Sequence, residues 1–185
     1  MSFWTDATLE PKRNYKFILS IPGTQGTGID NFLVKKVTKP EWEVTATEHK
    51  FLNHTFYYPG RTTWNEIQAT VVDTVDSNTS ATQAVMKILE ASGYDLPTAP
   101  NQPVGWGTVS KKKAVSDALG DVIIRTIDSN GNTVNEWLLH NAFITKVSMG
   151  ELSYDSEEIS EVTLTFRYDY AQVDVVNGDG KIPSS

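Results

Sequence analysis

The chain contains no cysteine, which excludes disulfides, thiolate metal sites and cysteine nucleophiles and leaves stability to packing or assembly. No segment approaches the ~18 consecutive apolar residues of a membrane-spanning helix, so no membrane partner is expected. Positive charge is scarce: 16 Lys and Arg against 23 Asp and Glu give a net charge of −7, which disfavours a surface that grips nucleic acid by neutralising phosphates. No GxSxG elbow occurs, and no serine can be singled out with a histidine and a carboxylate, so nothing supports hydrolase chemistry. The opening MSFWTDATLEPKRNYK lacks the basic start and apolar stretch of a secretory signal, and the chain is expected to stay where it is made.

Several short motifs raise a chemical question and answer it blandly. PGTQGTGID, residues 22–30, runs GxxGxG with no Lys-Ser/Thr and a strand after it, so it reads as a flexible loop and not as a phosphate cradle. Of the three histidines, His49 and His54 are five apart, which on one strand puts them on opposite faces; with His140 remote, no metal and no cofactor are expected. Asp155, Glu157 and Glu158 supply carboxylates that a glycosidase would need across a cleft, but they sit beside a turn in SYDSEEIS, where solvated charge is the common reading. SKKK at 110–113 reads as a solvated basic patch, and DSNGN as a hairpin turn rather than a calcium loop.

What is present is strand. The 185 residues, 39% hydrophobic and 10% aromatic, suffice for one well-buried core. In EVTLTFRYDY, Val162, Leu164, Phe166, Tyr168 and Tyr170 alternate with polar residues, and the phase flips after Ala171, which predicts a bulge or a change of partner. EWEVTATEH and NEIQATVVD alternate likewise and are expected as half-buried antiparallel strands. Further strands are expected over 14–21, 31–37, 121–128 and 135–149. One helix is predicted in TSATQAVMKILEASGYD, with Ser80 and Gln83 as a capping box, Ala81, Val85, Ile88 and Leu89 as its apolar stripe, and Gly93 at its end. Residues 94–119, with Pro97, Pro100 and Pro103, read as a long surface excursion with a short helical piece.

Aromatic placement is the unusual feature. NHTFYYPGRTTW sets Phe56, Tyr57 and Tyr58 in a row, and in an extended chain consecutive side chains point to opposite faces, so one core cannot take all three. Phe3 and Trp4 in a terminal arm and Trp106 in the excursion are further apolar residues that a monomer would struggle to hide. Aromatics in arms and loops are what assembly interfaces use.

FWTDATLEPKRNYKF, FYYPGRTTWNEIQATVVD, the helix ending at Gly93 and EWLLHNAFITKVSMGELSYDSEEISEVTLTFRYDYAQV occur in order over nearly the whole chain, and in this the sequence resembles the tail tube proteins of contractile-tailed bacteriophages. The resemblance implies a mainly β fold, a sandwich of two antiparallel sheets flanked by one helix, whose sheets join across subunits into a hexameric ring barrel. It implies a single domain over 1–185, with an N-terminal arm to about residue 13 and a C-terminal tail from about residue 176. The protein would be structural and not an enzyme. Its partners would be copies of itself in stacked rings, the tail sheath, the tape-measure protein, and baseplate and tail terminator proteins. DNA would pass through the lumen without specific binding. The place implied is the virion tail tube, assembled in the host cytoplasm.

Residue roles follow from the resemblance and from position. The turn Glu48, His49, Lys50, Phe51, Leu52, Asn53, His54 is the expected ring-to-ring loop. Phe3, Trp4, Tyr57 and Arg61 are expected at contacts between subunits, with Pro59-Gly60 as the bend that ends a strand and Trp64 starting the next. Polar strand faces offer Glu43, Thr45, Thr47, Glu66, Gln68 and Thr70 as lumen residues, and Lys35 and Lys36 nearby weigh against a purely acidic wall. The ring protein of a type VI secretion system or of a phage-tail-like bacteriocin would share this architecture. A β-sandwich carbohydrate-binding module, stacking exposed aromatics on sugars, is the alternative from another class.

Overall fold

The computed structural model describes residues 12–23, 29, 33–76, 79–95, 107–155 and 157–175. Phe3, Trp4, Trp106, most of the glycine-rich loop and the C-terminal tail lie outside the described residues.

Two four-stranded antiparallel sheets face each other. The first is ordered β1-β6-β7-β10, from Phe17–Ser20, Val122–Ile127, Thr133–His140 and Tyr170–Val175; the second is β2-β5-β9-β8, from Val34–Val37, Ile67–Val72, Glu161–Arg167 and Phe143–Ser148. Period-two alternation makes the core. Ile67, Ala69 and Val71 of β5 and Val162, Leu164 and Phe166 of β9 are buried against Leu19 of β1, Val122 and Ile124 of β6 and Leu139 of β7.

The helix α1 spans Ala81–Ala91, with Ala81, Val85 and Ile88 buried and Leu89 half-buried, as its stripe requires. Its N-cap is Ser80, whose hydroxyl accepts from the Gln83 amide, and Gly93 follows it at a φ of 104°, where a β-carbon would be strained. The helical piece expected in the excursion is a π-helical segment, Lys113–Leu119, packed against α1 and β8.

Two strand readings change. The run expected as one strand over 135–149 is two, β7 and β8, which belong to different sheets; Asn141, at a φ of 56°, makes the corner between them. The phase flip near residue 171 is a change of partner: β9 pairs in the second sheet, the chain turns at Tyr168–Asp169, and β10 pairs with β7 in the first. Both crossings lie at one corner, and Asp169 ties them. Its amide donates to the His140 carbonyl at 3.0 Å, and its carboxylate accepts from Asn141 Nδ2 at 2.8 Å and from Lys111 Nζ at 2.7 and 2.9 Å. Those bonds from Lys111 and then Asn141 hold its carboxyl below the usual aspartate range.

Candidate assembly surface

Between β2 and β5, two neighbouring strands of the second sheet, the chain forms a two-stranded ribbon that belongs to neither sheet: β3, Trp42–Phe51, paired with β4, His54–Trp64. Every described side chain in it is exposed except Trp64, which is half-buried. The expectation of a half-buried strand over 41–49 is therefore corrected. Trp42, Val44 and Ala46 do share a face, but among the described residues their side chains stay exposed instead of being buried against a sheet.

Register fixes what each face shows. Phe51 pairs with His54, His49 with Phe56 and Thr47 with Tyr58, so one face carries these aromatics toward the tip and Glu43, Thr45, Thr47 and Thr63 toward the base. The other face carries Tyr57, Pro59, Ala46, Val44, Trp42 and Trp64. None of the three adjacent aromatics enters the core: Phe56, Tyr57 and Tyr58 are 49%, 65% and 58% exposed. His49 and His54, expected on opposite faces of one strand, lie on two strands and share a face. Among the described residues no group of three or more His, Asp or Glu is arranged to hold a metal.

The expected ring-to-ring loop, 48–54, is mostly strand. Glu48, His49, Lys50 and Phe51 finish β3 and His54 opens β4, which leaves a two-residue turn at Leu52-Asn53 with Leu52 at a φ of 52°. Holding leucine there costs about 1–2 kcal/mol against glycine. Pro59-Gly60 does not end a strand. From Ala46/Pro59 to Val44/Thr62 β4 advances one residue more than β3, a bulge at Gly60–Arg61 opposite Thr45. The Thr45 hydroxyl fills it, accepting from the Arg61 amide at 3.0 Å, and a β-carbon on Gly60 would come within 2.3 Å of that oxygen. The Arg61 side chain is exposed and has no acidic partner among the described residues. Trp64 ends β4 and does not start the return strand, which begins at Ile67.

The ribbon is hinged to the sandwich by aromatics. Trp42 and Trp64 rings lie 5.4 Å apart, Trp64 lies 6.0 Å from the buried Tyr168, and the Asn65 amide donates to the Glu41 carbonyl. Burial pushes the Tyr168 hydroxyl up from its ordinary range.

The residues expected at a lumen fall in three places. Glu43, Thr45 and Thr47 share the ribbon's polar half-face; Glu66 lies in the β4–β5 connection, 3.7 Å from Arg167; Gln68 and Thr70 lie on the outer face of the second sheet. There Lys36, Thr70, Thr163 and Ser148 form one cross-strand row and Gln68, Thr165 and Lys146 another, so lysine is interleaved with the hydroxyls. Lys35 is paired with Glu161, and that hydrogen bond raises its pKa. Sequence reasoning missed that the ribbon, apart from Trp64 at its base, stands clear of the core. The available signal was the pairing of Trp42 with Trp64 and Val44 with Thr62 across a short turn, visible only once Pro59-Gly60 is allowed inside a strand.

No protein-family model matches the sequence, and no curated protein matches it. Solved structures do. The anti-feeding prophage cap, a tube-terminating cap, aligns over 92% of this chain and 95% of its own at a TM-score of 0.64 and 17% identity. The sheath/tube terminator of an extracellular contractile injection system aligns over 91% and 100% at 0.63 and 17% identity, and a chain of the sheath–tube complex of such a system over 95% and 99% at 0.59 and 17%. The chain has the fold of these contractile-machine components. The mainly β sandwich with a flanking helix, implied by the sequence resemblance, is thus the fold present.

Proposed function

We propose that the protein is the tube subunit of a contractile phage tail, assembling into six-membered rings that stack into a hollow conduit for DNA ejection. The observation that carries this reading is the ribbon Trp42–Trp64: two long strands, aromatic on both faces, that apart from Trp64 at the base stay exposed among the described residues. Leaving such a surface in water forgoes about 1.5–3 kcal/mol for each large side chain that a neighbour could bury. A second copy supplies the cover, since a sheet continued between subunits also removes free strand edges. On this reading Tyr57 and Arg61 meet the adjacent subunit and Leu52-Asn53, with Phe51, reaches the next ring. Phe3 and Trp4 are proposed as a further contact. The lumen is lined by hydroxyls and carboxylates with interspersed lysines, and DNA passes without being held. The sheath surrounds the tube, a tape-measure protein fills it during assembly, and baseplate and terminator proteins close its ends.

A second reading within the same architecture is the tube of a contractile injection system that is not a virion. It is favoured by the solved structures aligned above, which belong to an anti-feeding prophage and to extracellular contractile injection systems. A carbohydrate-binding module instead predicts a monomer whose stability shifts with a glycan. Negative-stain microscopy of the purified protein separates these classes. Rings or long hollow tubes are expected, and a monomer that persists at high concentration would count against both tube readings.

A further inference from the structure

The chain carries a net charge of −7, yet one broad face of it is not acidic. On the outer face of the second sheet the two central cross-strand rows run from Lys36 to Ser148 and from Gln68 to Lys146, with Thr70, Thr163 and the buried Thr165 between, and neither row contains a carboxylate. The carboxylates that border these rows are already matched, Glu161 by Lys35 and Glu66 by Arg167, and Glu158, beyond the start of β9, also acts on Lys35. Lys36 and Lys146 are exposed and have no ion pair among the described residues. The outer face of the first sheet differs in kind: it mixes the aliphatic Ile18, Ile123 and Leu138 with the Arg125–Glu136 ion pair and the carboxylate of Asp174. Of these two faces, the second is the one that offers unmatched positive charge on a neutral, hydrogen-bonding bed.

Lys36 stands on one edge strand, β2, and Lys146 on the other, β8; three strand spacings and an offset of one row root them roughly 15 Å apart. Over that length a DNA duplex shows about nine backbone charges, at one per ~1.7 Å. Two cations answer a minority of those charges, and the hydroxyls and amide between them bond phosphate oxygens without reading sequence. Such a contact is weak, salt-dependent and indifferent to base sequence, which is what a backbone that slides requires.

We propose that the outer face of the second sheet is the surface along which a DNA backbone runs, with Lys36 and Lys146 as its phosphate contacts. The choice of DNA among polyanions rests on the tube reading, in which this face lines the bore. The test is fluorescence anisotropy of a short duplex of arbitrary sequence with the full chain, as salt is raised from about 20 to about 80 mM. Two neutralised phosphates give a slope of about −1.8 in log affinity against log salt for each copy engaged, roughly a twelvefold loss over that range. K36Q/K146Q is expected to bind about tenfold more weakly at the lowest salt and to lose that slope. K112Q/K113Q, the same change of net charge at the π-helical segment, is expected to keep both. All four lysines are exposed, so neither variant should shift the melting temperature. No binding by the wild-type chain at the lowest salt would overturn the proposal. So would equal weakening by the two variants, since net charge alone would then account for the binding. Tighter binding of poly-glutamate than of the duplex would also overturn it, and would make an acidic polypeptide the occupant. If the wild-type chain binds the duplex as expected but forms neither rings nor tubes, the tube reading falls and the face keeps its phosphate contacts.

Discussion

Asp73 is the side chain on which the junction between sheet and helix depends. It follows β5, and its carboxylate accepts from the Thr74 amide, the Ser80 hydroxyl at 3.1 Å, and the amide and hydroxyl of Thr82 at 3.3 and 2.5 Å. It thereby satisfies an orphan donor of the first helical turn and fixes the N-cap serine. Partial burial pushes its carboxyl up, and the bonds from Thr82, Ser80 and Thr74 outweigh that, so it lies below the ordinary aspartate value. A carboxyl with a depressed folded pKa contributes stability that is present above the unfolded value, about 3.9, and is lost as pH falls through the lower folded one. Asp73→Ala should therefore cost about 2 kcal/mol in denaturant unfolding at neutral pH. Its deficit relative to wild type should shrink as pH drops below about 4; a deficit independent of pH would show that the charge is not what matters. Ser80 was legible in the sequence from its spacing to Gln83. Asp73 was not, because its partners are seven and nine residues away and only the turn after β5 brings them together. The return bond of a full capping box, from the Gln83 side chain, is absent among the described residues, and Asp73 instead anchors the helix start through the Ser80 hydroxyl and the Thr82 amide and hydroxyl.

At the scale of elements, the sequence pattern was most informative where one face of a strand is buried by its own chain. β5 and the Val162, Leu164 and Phe166 face of β9 follow their alternation, because a slip of one residue would turn these apolar side chains outward. It failed where pairing is local and burial is absent. Pro59-Gly60 reads as a bend because proline is excluded from central strands, but each strand of a two-stranded ribbon has a free edge and a bulge tolerates both residues. The His140-Asn141 corner was hidden for the opposite reason: β7 and β8 are both apolar enough to pass for one strand, and a single residue at positive φ separates them. The ribbon account makes a definite prediction for Gly60→Ala. The added carbon must displace Thr45, whose backbone carbonyl lies 3.0 Å from it as well, so the bulge cannot be kept. Amide exchange should speed up across 42–64, while global unfolding changes by less than about 0.5 kcal/mol, since the ribbon leans on the sandwich only at its base. A large global loss with the ribbon still protected would contradict that independence.

For the whole molecule, the sandwich and the ribbon make unequal demands on assembly. The sandwich closes its own core over Leu19, Ile67, Leu139, Leu164 and Phe166, and nothing in it needs a second chain. The ribbon hides little without one. Assembly must then act as a ligand that binds only the folded chain, and its contribution grows with protein concentration by mass action. The melting temperature should rise by roughly 3–5 °C for each tenfold increase in concentration, the shift expected when about 1.4 kcal/mol is added to a domain of this size. Phe56→Ser/Tyr57→Ser/Tyr58→Ser should abolish that rise while matching the wild-type melting temperature at the lowest concentration, because these three rings are outside the core. If the triple variant instead melts lower at every concentration, the aromatics support the monomer fold; if it keeps the concentration dependence, another surface closes the ring. Only the first pattern, equal when dilute and divergent when concentrated, fits a ribbon whose aromatics are buried by a neighbouring subunit.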